Sequence, residues 1–319
     1  MPLSKDDDAF NLESELQISE GKGGLPVIKV DNKYATAVIS IYGAQVLSFK
    51  KKSSDSEEGE LLFLSDKAFY EAGKAIKGGI PICWPWFGQD PEKRGRQAHG
   101  LARNVMWKLV STSSNKDSGT QVVLSLNETE ASKKLWPHSF DLRLTIDIGE
   151  TLKLSLKTSN TGTQAFTITQ ALHTYFAVAD ITKVRIAGLD KTNYIDAVVD
   201  KKDKNDTTKT ATALEDMPVL EQAGDVEFNQ EVDRVYTLSC SKQCPALTLF
   251  DGEDRQVKIE SKNSKTTVVW NPWVEISANS ADLSNDAYKH FVCIETANAA
   301  DDVIEVLPNE SFTLALRVI

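Results

Sequence analysis

Residues 140–160 read FDLRLTIDIGETLKLSLKTSN. Phe140, Leu142, Leu144, Ile146 and Ile148 take every second position, Gly149-Glu150 interrupts, and Leu152, Leu154 and Leu156 resume the pattern. A strand repeats its side-chain direction every two residues, so two such runs around a tight turn predict a β-hairpin with one wholly apolar face. The same alternation recurs in 34–49 (YATAVISIYGAQVLSF), 120–127 (TQVVLSLN), 165–176 (AFTITQALHTYF), in PALTLF and RQVKIES around an Asp-Gly turn, and in the closing SFTLALRVI. Helical patterns are few and short: 66–77 (DKAFYEAGKAIK), 128–136 (ETEASKKLW) and a turn or two between Asp286 and Phe291. These cannot cover both faces of a parallel sheet, so an all-β protein of antiparallel sheets packed face to face is predicted.

The 319 residues are 41% hydrophobic and 26% charged, enough apolar surface for a large core. Without an internal repeat, a low-complexity linker or an abrupt shift in composition, the chain reads as an N-terminal segment, 1–25, and one β-sandwich domain, 26–319. Disorder is expected only in the first dozen residues and in the lysine-rich run at 201–210. The formal charge of −10 excludes the cationic footprint of a nucleic-acid or anionic-membrane surface. An anionic ligand would need its cations gathered locally. The start MPLSKDDDAFNLESEL carries three aspartates where a signal peptide needs an apolar core, and no run of about 18 apolar residues occurs, so a cytoplasmic location is expected. Cys83, Cys240, Cys244 and Cys293 form no C-x-x-C pair and read as reduced, structural thiols. The histidines are scattered singly, none at i, i+4 from another, which argues against zinc.

Residues 78–88, GGIPICWPWFG, pack three glycines, two prolines, two tryptophans and a phenylalanine into an irregular loop. Such aromatics either plug a core or line a concave site. Within 165–176, Phe166, Ile168, Leu172 and Phe176 share one strand face and Thr167, Thr169, Ala171, His173 and Tyr175 the other, so His173 points away from the greasy face, as a structural donor or a functional group. Glu295 follows four apolar residues in FVCIE; it is either desolvated, with a raised pKa, or emerges into water at the strand's end. Asp233 and Arg234 in EVDRVY form a surface ion pair or a sugar-binding carboxylate beside its orienting charge. WNPW, 270–273, is a second aromatic turn that suits either core packing or a hydroxyl-rich ligand. His99 and Arg103 stand close together around a glycine in AHGLARNVMW, a candidate anion clamp.

Taken in order from about residue 77 to 297, KGGIPICWPWFG, AHGLARNVMW, KKLWPHSF, ALHTYFAVADI, EVDRVY, WNPW and YKHFVCIETA resemble the hexose-6-phosphate mutarotases, the glucose-6-phosphate 1-epimerase branch of the aldose 1-epimerase superfamily. The resemblance implies a galactose-mutarotase-like supersandwich, a single large domain, that interconverts the α and β anomers of a phosphorylated hexose without a cofactor; no metal is required, and a monomer is expected. It implies that His173 is the acid at the ring oxygen and Glu295 the base at the C1 hydroxyl. Asp233 is implied to hold sugar hydroxyls, and His99 and Arg103 to lie against the ring and phosphate. A histidine near its ordinary pKa and a desolvated carboxylate on opposite sides of the sugar would suffice, with the tryptophan loop walling the pocket and Gly78 and Gly79 letting backbone amides approach the ligand. Lys77 stands where the family usually has arginine, keeping the charge but losing the planar fork for phosphate. Competing expectations are a mutarotase of unphosphorylated sugars, a glycosidase using Asp233 and Glu295, and a non-catalytic carbohydrate-binding protein.

Overall fold

The computed structural model describes residues 10–12, 15–52, 59–198, 217–238, 245–253 and 255–319. In it Phe140–Ile148 pairs antiparallel with Leu152–Asn160, Ile148 opposite Leu152. The eight alternating apolar side chains of this hairpin are all at 0% exposure, while Arg143, Lys153 and Lys157 between them stay in water. Each such Leu, Ile or Phe contributes roughly 1.5–3 kcal/mol on burial, which is what holds the register.

Among the described residues the hairpin belongs to a nine-stranded sheet in the order Val226–Glu227, Val184–Ala187, Leu247–Asp251, Arg255–Lys262, Ser311–Val318, Leu152–Asn160, Phe140–Ile148, Gly119–Asn127, Lys108–Asn115. An eight-stranded sheet runs Val219–Glu221, Asn193–Asp196, Val232–Thr237, Thr266–Asn271, Phe291–Asn298, Gln170–Leu172, Ile82–Cys83, with Tyr175–Ala177 also paired to Phe291–Asn298. A four-stranded sheet of Leu16–Glu20, Pro26–Asp31, Ala35–Ser40 and Gln45–Lys51 completes the frame. One continuous apolar core takes Ile28 and Ile39 from the small sheet, Leu144 and Leu314 from the nine-stranded sheet, and Val269 and Ile294 from the eight-stranded one. Polar contacts tie the large sheets together as well: Ser261 Oγ lies 2.7 Å from Thr296 Oγ1.

Three local expectations change. Residues 66–77 form turns and bends, not a helix. The Ser65 amide donates to the Lys77 carbonyl at 3.1 Å, so the segment must return on itself, whereas a twelve-residue helix would hold its ends roughly 16 Å apart. The stretch 165–176 is three short strands, Phe166–Ile168, Gln170–Leu172 and Tyr175–Ala177, and His173 lies in the break between the last two instead of mid-strand. WNPW ends the strand Thr266–Asn271 and enters a helix, Trp273–Asn279, with Pro272 as its N-cap and the Trp273 amide donating to Asn271 Oδ1 at 2.9 Å. The other two helical patterns appear as Glu130–Leu135, with a Thr129–Ser132 capping box, and a 3-10 turn at Ala287–His290.

The segment before residue 26 contributes the strand Leu16–Glu20, paired with Pro26–Asp31. Cys83 and Cys293 are buried and unpaired; Cys240, Cys244 and the run 201–210 lie outside the described residues. The tryptophan loop is a core plug. Trp84 and Trp86 are buried, Trp84 packs on Trp136 and Phe140 with ring centroids 5.0 and 4.5 Å away, and its indole N–H donates to Thr158 Oγ1 at 3.0 Å. Gly78 and Gly79 admit neighbouring backbone, not a ligand. Both have positive φ, a Cβ on either would run into the carbonyl oxygen of Phe63 or Val46, and the Gly79 amide is already bonded to Phe63 O.

Candidate active site

One face of the eight-stranded sheet carries the candidate residues. Register places Asp233 beside Trp270, Trp270 beside Cys293, and Cys293 beside Tyr175. One step along, Val235, Val268 and Glu295 form the next row. Leu172 pairs with Thr296 and Tyr175 with Cys293, so the register runs unbroken across the gap and sets His173 opposite Glu295. Cross-strand neighbours meet on the same face, and His173 Nε2 lies 3.4 Å from Glu295 Oε1. The reverse face of these strands (Val232, Val269, Val292, Ile294) faces the main core. Glu295 therefore sits inside a strand, Phe291–Asn298, at 2% exposure, and does not emerge into solvent.

The ring of His173 stacks on Tyr175 at 4.8 Å and 10°, with Trp270 edge-on at 6.1 Å and His99 at 5.7 Å. Burial, chiefly, pushes the His173 pKa well below its ordinary value, reinforced by the positive charges of Arg103 and Lys77. Burial and the nearby Asp233 carboxylate push Glu295 well above the usual carboxylate range, against the pull of Arg103. The expected ordinary histidine pKa is thus replaced by a displaced one. His173 and Glu295 are also immediate neighbours, not groups on opposite sides of a cavity.

His99 reaches the same basin from the loop after the tryptophan segment, at φ 63, with its amide bonded to Gly88 O at 2.7 Å. Gly100, at φ +74, follows because a Cβ there would strike the Trp84 carbonyl. The Gly88 amide donates to His99 Nδ1 at 3.3 Å, which assigns the ring proton to Nε2. Burial, with Arg103 and Lys77 behind it, holds the His99 pKa down at about 3, so the ring is a neutral donor at working pH. Arg103 is anchored by Nη2 donating to Ala98 O at 3.0 Å. The Lys77 ammonium lies 5.9 Å over the Trp270 ring and 3.6 Å from Asp282 Oδ2.

All six residues singled out in the sequence, Lys77, His99, Arg103, His173, Asp233 and Glu295, therefore converge on one basin. Arg234 does not: it points away, over the Tyr194 ring and onto Gln222. Within the basin His173 Nδ1, Glu295 Oε2 and Arg103 Nε are buried without a hydrogen-bond partner, the signature of groups waiting for a ligand. Sequence reasoning missed Tyr175, whose position two residues after His173 signals the shared face, and Asp282, which nothing local marks.

A buried histidine–glutamate contact on one face of a large antiparallel sheet, flanked by cations and aromatic rings, has the parts that a sugar-anomerising class of protein requires. The chain belongs to the aldose 1-epimerase family, whose pattern it matches over residues 26–318. It is 35% identical over 277 residues to an Escherichia coli K12 protein provisionally named a glucose-6-phosphate 1-epimerase, covering 87% of this chain and 84% of that one. A Cenchrus ciliaris protein with the same provisional name is also 35% identical, over 285 residues (86% and 78%). A crystal structure of a Salmonella typhimurium protein, provisionally called a mutarotase, superposes with a TM-score of 0.81 at 30% identity over 97% of this chain and 94% of that one. The galactose mutarotase related enzyme of Lactobacillus acidophilus shares the fold at TM-score 0.68 and 13% identity, over 92% and 96%. The fold is accordingly the galactose-mutarotase-like β-supersandwich.

Proposed function

We propose that this protein interconverts the α and β anomers of a hexose 6-phosphate, with glucose 6-phosphate the leading substrate. The observation that carries the chemistry is the buried His173–Glu295 contact with an unpartnered polar atom on each side chain. Opening the hemiacetal requires a proton to leave the C1 hydroxyl while another reaches the ring oxygen. Glu295 takes the first and His173 delivers the second. Rotation about C1–C2 then turns the aldehyde, and the reverse transfers close the ring on its other face. The pair carries one proton throughout, so no net proton is consumed. Its displaced pKa values make protonated His173 a stronger acid and ionised Glu295 a stronger base than the free side chains. His99 donates from Nε2 to the sugar, Asp233 accepts from its hydroxyls, and Arg103 with Lys77 receives the phosphate. The two buried unpaired thiols fit the reducing cytoplasm in which sugar phosphates occur.

Two-dimensional exchange NMR on glucose 6-phosphate, with plain glucose in parallel, tests the proposal. Faster exchange of the phosphate ester is expected. Acceleration of glucose alone would move the substrate to unphosphorylated sugars, and exchange at the spontaneous rate for both would leave a binding protein.

A further inference from the structure

Lys77 is paired before any substrate arrives. Its Nζ lies 3.6 Å from Asp282 Oδ2, both side chains about three-quarters buried, at 23% and 24% exposure. The pairing is built into the backbone and does not depend on charge alone. Ser65, at 1% exposure, donates its amide to the Lys77 carbonyl at 3.1 Å and its hydroxyl to the Asp282 carbonyl at 2.7 Å. One buried residue, through its amide and its hydroxyl, thus holds both segments. The next residue, Leu283, is sunk among Tyr175, Phe291 and Cys293, so the Asp282 backbone is fixed beside the floor of the site.

We infer that Asp282 is a specificity-determining residue, a fixed counter-ion that competes with the substrate's phosphate for the Lys77 ammonium. The inference rests on the hexose-phosphate reading above. An ammonium has three donors and can face two acceptors at once, but a phosphate seated on Lys77 brings a second negative group against Asp282 in a half-buried setting, where like charges are poorly screened. An unphosphorylated sugar brings no such charge. Asp282 therefore acts on one substrate class alone: it lowers the preference for phosphate esters, and it tempers a cation that would otherwise bind any small anion. Arg103, which donates to a backbone carbonyl and whose Nε lacks a partner, remains the primary phosphate cation.

The test uses Asp282→Asn, a near-isosteric change on a backbone held by Ser65, with Lys77→Gln and the double variant. Asp282→Asn is expected to tighten binding of inorganic phosphate and to lower KM for glucose 6-phosphate, each by about two- to fivefold, the range set by the strength of a partly exposed ion pair. KM for glucose should stay in place. On the Lys77→Gln background the same substitution should change phosphate binding by less than about twofold, since the competition needs the ammonium. Weaker or unchanged phosphate binding in Asp282→Asn, an equal shift for glucose, or a full effect without Lys77 would each overturn the inference. Exchange at the spontaneous rate in every variant would defeat the mutarotase reading, while the phosphate titration would still decide the role of Asp282.

Discussion

Glu295 has 2% of its surface in water and no donor on Oε2, and that environment links activity and stability through the same proton. Its folded-state pKa is raised above the unfolded 4.5, so the unfolded chain binds fewer protons once the pH exceeds about 4.5, and stability falls as pH rises through the raised folded value. Glu295→Gln removes this dependence. Its Tm relative to the parent should therefore climb as the pH rises above about 4.5, and a pH-independent difference in calorimetry would show that the carboxyl titrates normally. The same variant should slow anomer exchange by about a hundredfold or more while still binding glucose 6-phosphate. His173 is displaced the other way, below 6.5. The pair takes up a second proton only below that value and gives up its one proton only above the usual carboxylate range. Plots of kcat/KM against pH should thus be bell-shaped, falling on either side of a plateau with macroscopic values that belong to the pair. A limb centred near 6.5 would assign an ordinary histidine.

At the scale of elements, the alternation in 165–176 correctly separates the face of His173 and Tyr175 from the core face, because side-chain direction in a strand is a local property, whereas the apolar run before Glu295 left its environment open. Which residue meets which is not local. The pairing of His173 with Glu295 follows from a register spanning more than a hundred residues, and nothing in either strand announces it. The 66–77 segment shows the opposite failure, a helical composition overruled by hydrogen bonds that join its two ends. The loop holding His99 is set by Gly100, whose positive φ and contact with the Trp84 carbonyl leave no room for a side chain. Gly100→Ala should destabilise the fold by about 2 kcal/mol or more and lower exchange further by displacing His99. Chemical denaturation reads the first effect, and an unchanged midpoint would mean that the loop relaxes at little cost.

For the whole molecule, the charge of −10 repels an anionic sugar at long range while Lys77 and Arg103 attract it at short range. Salt at about 0.15 M screens charges more than about 8 Å apart far better than it screens a partly buried site. The kcat/KM for glucose 6-phosphate should accordingly hold or rise from low to physiological salt, whereas a steep fall would point to long-range steering by a positive surface. A core shared by all three major sheets supports our proposal that residues 26–319 unfold as one domain. Differential scanning calorimetry should give one cooperative transition, and two resolved peaks would divide the chain.

By itself the sequence determined the all-β class, the anomer-exchanging family resemblance and six candidate residues that the fold brings together, because strand faces and short motifs are encoded by neighbouring positions. The tertiary structure alone decided that the two tryptophans of the loop fill the core, that His173 and Glu295 are neighbours with displaced pKa values, and that Lys77 is already engaged by Asp282. Each of these depends on burial and on contacts between distant segments, and desolvation is a property of the packed whole that no local pattern carries.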